Sequence, residues 1–292
     1  MTENTYNFRG REILNVFPRE SIEYAMDYKH RDCDRILISY PRSGSNWIQY
    51  ICDLILNNGQ PVQKITQIKY RLEFVGKQVI DSQSDKKVTF IATHLPPDIL
   101  TINANTRYMF AIRNPKDMIA SLYYYLRDMR WISEESINDF HHFFKLYING
   151  HNYQNYMGDY FEYVLRYWQL RDRENFAVII YEDMIRDLRK SVIEIAQFLG
   201  PDYRDSVLAM VNIDDDYGQQ SEILADRIVR MSSIGLVKTT YNNSQLIRKG
   251  VIGDWKQLFS KEESDLIDQK VANEWKGTGL ELVWERDMKW ES

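Results

Sequence analysis

The chain has 292 residues, enough to bury a large core, and its 44% hydrophobic and 27% charged content is ordinary for a globular protein. A formal charge of −5 excludes broad, sequence-independent binding to nucleic acid, which needs a basic field, while a local basic pocket for one small anion stays compatible. Two cysteines (Cys33 and Cys52), no signal-peptide core and no apolar run of membrane-spanning length predict a reducing, cytoplasmic setting with no membrane partner.

No repeat, low-complexity tract or Pro/Gly/Ser linker divides the chain, so one domain is expected over 1–292, with the first twenty or so residues flexible or close to substrate. In chain order, 36–40 is an apolar, β-branched run that reads as a buried strand. It ends in Pro41-Arg42-Ser43-Gly44-Ser45-Asn46, and a helix follows with Trp47, Ile51, Leu54 and Ile55 on one face. Asn57-Asn58-Gly59 stops that helix. Two more buried strands are predicted over 88–93 and 107–112, and Asn114-Pro115 opens a helix with Asn as cap and Pro at the first helical position. The aromatic segment 131–168 reads as a helical cover over a pocket. A fourth strand over 176–181 and a helix over 187–199 follow, the helix ending at Gly200-Pro201. Strands alternating with helices predict an α/β fold: a central parallel sheet flanked by helices, with ligand loops at the strand carboxyl ends.

Each predicted strand ends in a polar cluster. The first, strand then small-residue loop then helix, is a phosphate cradle resembling a P-loop, in which backbone N–H groups and the helix dipole converge on an anion. Its spacing is not that of the nucleotide P-loop, because Arg42 precedes the glycine and no Gly-Lys-Ser/Thr follows. The other ends carry Thr93-His94-Leu95-Pro96, Arg113-Asn114-Pro115-Lys116-Asp117 with Ser121 further on, and Tyr181-Glu182-Asp183-Met184. A basic loop, Arg248-Lys249-Gly250, followed by Gly253-Asp254-Trp255-Lys256, lies near the C-terminus. Arginines from separate loops suggest a ligand with two phosphates.

These five motifs, in this order over roughly 35 to 260, resemble the cytosolic sulfotransferases. That family moves a sulfuryl group from 3′-phosphoadenosine-5′-phosphosulfate (PAPS) to a hydroxyl or amine and leaves adenosine 3′,5′-bisphosphate (PAP). The resemblance implies that Arg42, Ser43, Gly44, Ser45 and Asn46 hold the 5′-phosphosulfate, and that Trp47 next to them holds the adenine by stacking and edge contacts. It implies Arg113 and Ser121 for the 3′-phosphate, Tyr181 and Ser232 for the adenine, and Arg248, Lys249 and Gly250 as a further cofactor loop. His94 matches the catalytic base, and Arg42 takes the place of a lysine that stabilises the leaving phosphate. No metal is implied. Phe74, Tyr123, Tyr125, Trp131, Phe140 and Phe144 are candidates to line an acceptor pocket suited to a phenol, steroid or aromatic amine.

The chain departs from the pattern at Arg42, at Ala92, where many members carry Lys, and at Ile234, where an aromatic is usual. The family's C-terminal dimer motif is only echoed by Lys276, Gly279-Leu280 and Glu285, so a monomer or weak homodimer is expected. Two rival readings are a nucleotide-dependent kinase, which should carry Gly-Lys-Ser/Thr and a metal-holding Asp, and a PAP-binding pseudo-enzyme without turnover. His141-His142 reads as helix surface, since no third metal ligand follows at suitable spacing.

Overall fold

An antiparallel hairpin of β1 (Thr5–Phe8) and β2 (Arg11–Leu14) opens the chain in the computed structural model, which describes residues 5–60, 69–129, 138–150, 157–215, 218–240 and 249–291. Phe8, Ile13 and Phe17 are buried, and Phe17 packs on Phe74 with ring centroids 4.5 Å apart. After α1 (Arg19–Asp27) comes the central sheet: β3 (Asp34–Ser39), β4 (Thr89–Thr93), β5 (Arg107–Ile112) and β6 (Phe176–Ile180). They pair in parallel in the order β4-β3-β5-β6, with Ile36 beside both Ile91 and Tyr108, and Phe110 beside Val178. The inner strands are apolar on both faces because helices cover both: Ile36, Leu37, Ile38, Met109 and Phe110 are all buried.

The connecting helices are α2 (Ser45–Leu56), α3 (Leu72–Val75), α4 (Gln78–Asp81), α5 (Pro115–Asp128), α6 (Phe140–Ile148), α7 (Tyr160–Trp168), α8 (Tyr181–Arg186), α9 (Leu188–Leu199) and α10 (Pro201–Leu208). Asn114 caps α5 by accepting from the Lys116 N–H at 2.9 Å, with Pro115 at the first helical position. Beyond α10 lie a second hairpin, β7 (Met210–Asp215) with β8 (Gly218–Ile223), then α11 (Leu224–Met231), α12 (Ile234–Thr240) and α13 (Lys261–Glu274). Among the described residues no helix is long and apolar enough to cross a membrane.

One helix explains part of the high tyrosine content. Tyr160, Tyr163 and Tyr167 share a face of α7, and their rings fill the space above Phe110 and Phe176. Their hydroxyls donate to carbonyls just past or at the strand ends: Tyr160 to Arg113, Tyr163 to Ser39 (3.2 Å) and Tyr167 to Leu95 (2.7 Å). Buried phenols thus satisfy carbonyls that the ladder leaves open, and they fix the edge from which the site loops spring.

Candidate active site

At the end of β3 the chain turns sharply, with the Ser43 N–H bonded to the Tyr40 carbonyl at 3.2 Å. Arg42 (φ 69°) and Gly44 (φ 94°) both take left-handed backbone, and Gly44 caps α2, its carbonyl receiving the N–H groups of Trp47 and Ile48. Gly44 is needed on two counts. A Cβ there would lie 2.6 Å from Tyr181 Cδ2, so the loop's floor and the Tyr181 ring fit only without a side chain. The Ser43 hydroxyl is buried with no hydrogen-bond partner among the described residues. Such an orphan costs about 1–3 kcal/mol unless a ligand satisfies it.

Trp47 and Tyr181 meet edge to face at 5.9 Å and form one wall. Trp47 is held by its indole N–H donating to the Ser232 carbonyl at 2.7 Å, while the Ser232 hydroxyl is spent on Ile228 of its own helix. Ser232 therefore supports the wall from behind. Arg113 lies over the Tyr181 ring, its guanidinium 4.4 Å from the ring centroid. It donates to the Arg42 carbonyl at 3.0 Å, and its Nε is buried without a partner among the described residues. Arg42 turns back on α5: Nε donates to Ser121 Oγ at 3.1 Å, and the guanidinium sits 4.7 Å over Tyr125. Arg42, Gly44, Ser45, Asn46, Trp47, Arg113, Ser121, Tyr181, Lys249 and Gly250 line one pocket, joined by Ile234 and Val251. Ile234 packs on Gly250, where a Cβ would lie 2.0 Å from its Cδ1. Arg248 and Trp131, both singled out from sequence, lie outside the described residues.

His94 follows β4, buried, next to this loop. Its Nδ1 bonds the Ser39 carbonyl, which can only accept, so Nδ1 carries the proton and Nε2 keeps a lone pair. Burial, then the Arg71 charge, hold the imidazole well below the usual histidine range; the Ser39 bond opposes them and Arg42 adds to them. Glu73, fully buried in α3, accepts from the His94 backbone N–H and from Thr93 Oγ1 at 2.8 Å, fixing the strand end. Burial raises the Glu73 carboxyl despite nearby Arg71.

The aromatic candidates divide. Tyr125 lies under Arg42, and Phe74 sits beside Glu73 against Phe17. Tyr123 packs on Phe140 (5.3 Å), and both Phe140 and Phe144 pack on Phe259, at 4.9 and 5.3 Å, in a buried cluster. Sequence reading passed over Arg71, Glu73 and Val251. Arg71 and Glu73 belong to no motif, and only their alignment beside β4 reveals them.

A parallel sheet whose carboxyl edge carries a left-handed turn and a helix, with Arg113 over the Tyr181 ring and Arg42 over Tyr125, defines an α/β protein built to hold an anionic, ring-bearing ligand. A sulfotransferase domain model matches residues 32–279, and the chain belongs to the sulfotransferase family. It is 30% identical over 302 residues to the 3-alpha-hydroxysteroid sulfotransferase of Cavia porcellus, covering 98% of this chain and 99% of that one. It is 28% identical over 270 residues to sulfotransferase 1C2 of Rattus norvegicus, covering 88% of each. In fold it is similar to mouse sulfotransferase SULT7A1 crystallised with PAP, with a TM-score of 0.72 at 20% identity over 98% of this chain and 99% of that one.

Proposed function

We propose that the protein transfers a sulfuryl group from PAPS to the hydroxyl or amine of a small ring-bearing acceptor. The observation that carries this reading is a pair of buried donors with no partner among the described residues, Ser43 Oγ and Arg113 Nε, beside a basic pocket walled by Trp47 and Tyr181. Two orphaned donors of that kind fit two phosphates flanking a stacked base. Arg113 and Ser121 would take the 3′-phosphate; Arg42 and the first turn of α2, with Ser43 to Asn46, would take the 5′-phosphosulfate. Lys249 and Gly250 complete the cofactor loop from the far side.

PAPS supplies the electrophilic sulfur and a phosphate that departs as part of PAP. His94 Nε2 accepts the acceptor's proton as the acceptor oxygen bonds sulfur, and the electron pair of the broken S–O bond stays on the phosphate, beside Arg42. In-line transfer of this kind depends on positioning and electrostatics, which fixed guanidinium and amide donors provide. Tyr125, laid under Arg42, and Phe74, next to Glu73, would wall the acceptor, and Tyr123, Phe140 and Phe144 would back it. The hydroxysteroid named in a 30% identical relative makes sterols a leading acceptor class, alongside phenols and aromatic amines.

The test is transfer from ³⁵S-labelled PAPS to a panel of phenols, catecholamines and sterols. Labelled product from at least one acceptor is expected, and its loss in His94→Gln with PAP binding retained. No product from any acceptor overturns the reading. Because His94 is held neutral, the acid limb of kcat/KM should fall below pH 6.5, the ordinary histidine value.

A further inference from the structure

Two tyrosines of α7 hold the carbonyls that flank His94, Ser39 in space and Leu95 in sequence. Tyr167 donates to the Leu95 carbonyl at 2.7 Å, and the Tyr163 hydroxyl lies 3.2 Å from the Ser39 carbonyl and 3.4 Å from that of Leu95. With Leu95 already served by Tyr167, the shorter contact takes the Tyr163 proton to Ser39. That carbonyl is the one to which His94 Nδ1 is bonded, and the Ser39 hydroxyl lies further off, at 3.3 Å. One oxygen thus accepts from a phenol and from the imidazole, one donor to each lone pair. The Tyr163 ring is fixed: it is buried and set edge-on between Tyr40 (5.1 Å) and Tyr167 (5.0 Å), with Phe110 at 6.2 Å. Tyr40 follows Ser39 and opens the turn that carries Arg42, so α7, β3 and the imidazole meet at a single carbonyl.

We propose that Tyr163 is a positioning residue for His94: by sharing the Ser39 carbonyl with the imidazole Nδ1–H, it sets how readily Nε2 takes the acceptor's proton. The inference rests on the reading of His94 as the general base and adds the group that governs it. Among the described residues, the charges facing the ring leave its support to the carbonyl. Arg42, from the turn after β3, and Arg71, from the segment before α3, both disfavour an imidazolium, as burial does. Glu73 of α3 is turned to the His94 backbone N–H and to Thr93, and burial favours its neutral form. From α7 come the two phenols, with Tyr167 kept un-ionised by burial. The Ser39 carbonyl is therefore the dipole that steadies a positive ring, through a hydrogen bond that strengthens once Nε2 is protonated. A second donor on the same oxygen draws off part of the electron density that the first one uses, so the phenol weakens that support. It keeps His94 neutral and ready to accept, and it fixes the oxygen at which Nδ1–H is aimed.

The experiment follows the His94 ring by ¹⁵N-histidine spectra across pH in wild type, Tyr163→Phe and Tyr167→Phe. The His94 signal, one of five histidines, is assigned by its loss in His94→Gln. Each Phe variant deletes one buried hydroxyl from α7 and keeps the ring, but only Tyr163→Phe relieves the Ser39 carbonyl of its second donor. The His94 midpoint should rise by about half a pH unit in Tyr163→Phe, a roughly threefold gain in proton affinity, and stay within about 0.2 pH units in Tyr167→Phe. Where unfolding cuts the titration short, the protonated fraction at the lowest folded pH gives the same comparison. The acid limb of kcat/KM, read with labelled PAPS, should move with the midpoint in Tyr163→Phe, while the PAP dissociation constant stays within about twofold. A midpoint that moves no further in Tyr163→Phe than in Tyr167→Phe overturns the assignment and leaves both phenols as core supports. A raised midpoint with an unmoved acid limb overturns His94 as the base, and Tyr163 then has no part in the reaction. A wild type that transfers no sulfuryl group overturns the functional reading, and the spectra still decide whether Tyr163 governs the imidazole.

Discussion

Arg42 adopts a backbone conformation that a non-glycine residue takes only at a cost, and its side chain is tied to Ser121 and laid on Tyr125. The turn thus aims one guanidinium at the space above α2. Arg keeps its charge at any working pH and presents a rigid fork, whereas Lys is a mobile point charge. Arg42→Ala should lower kcat about 10²- to 10³-fold, as for loss of one preorganised transition-state donor, while Arg42→Lys remains active. Steady-state kinetics with saturating PAPS read this, and an Ala variant with wild-type turnover removes Arg42 from the chemistry. Gly44→Ala meets both a left-handed φ and the Tyr181 ring, so it should lose about 2 kcal/mol in a denaturant melt and bind PAP poorly. Arg42, Gly44 and Arg113 were legible because their meaning is local: each sits in a short motif at a strand end. Arg71 and Glu73 were not. Lys69-Tyr70-Arg71-Leu72-Glu73 has no periodicity or motif, and its role arises only from pairing with Ala92, some twenty residues away.

The helix α5 shows how one element serves two parts of the site. Asn114 caps it and Arg113 immediately precedes that cap, and the buried Asp117 of its first turn reaches across to accept the N–H groups of Gly253 (2.8 Å) and Trp255 (3.0 Å). The loop bearing Lys249 and Gly250 is therefore hung from the arginine helix. The Asn-Pro start of α5 and the four apolar strands could be read directly, since caps and buried strands have strong local signals. The hairpin β7–β8 could not. Met-Val-Asn-Ile-Asp-Asp and Gly-Gln-Gln-Ser-Glu-Ile show no clean apolar alternation, and the run of aspartates suggests a turn. Likewise the aromatic segment 131–168 reads as a pocket cover, while Tyr160, Tyr163 and Tyr167 at its end brace the strand ends from within the core. Asp117→Ala strips the buried Trp255 N–H and the half-buried Gly253 N–H of their acceptor, at about 1–3 kcal/mol for the buried one. PAP should bind about tenfold or more weakly, while kcat at saturation changes within about threefold. A kcat loss as large as the affinity loss would mean that Asp117 acts on the chemistry.

Across the molecule, a chain of net charge −5 gathers Arg42, Arg71 and Arg113 at the carboxyl edge of one sheet and sets buried carboxyls behind them. Glu182 is the clearest of these. Its two oxygens accept from the Asn114 N–H (3.0 Å) and the Trp284 indole (2.7 Å), joining the ends of β5 and β6 to the C-terminal segment. Burial pushes its carboxyl up to about 7, against the pull of Arg113 and its hydrogen bonds. The unfolded chain loses this proton near 4.5, whereas the folded chain keeps it until about 7. The folded state therefore holds the extra proton in that window, and stability present below pH 4.5 is lost as pH rises to 7. A shift of this size corresponds to something on the order of 3 kcal/mol. His94 acts in the opposite sense: with its folded value depressed, it contributes stability above pH 6.5 that falls away on acidification. Glu182→Gln cannot ionise, and its amide nitrogen cannot accept from an N–H, so it should be less stable than wild type at pH 5 by about 1 kcal/mol. Its stability should then decline less than wild type's between pH 4.5 and 7, so that the two curves cross near about pH 6 and the variant is the more stable by about 1 kcal/mol at pH 7. Urea melts of both proteins across that range decide the matter: parallel curves would show that Glu182 is already ionised in the folded state and that Arg113, rather than burial, sets its charge.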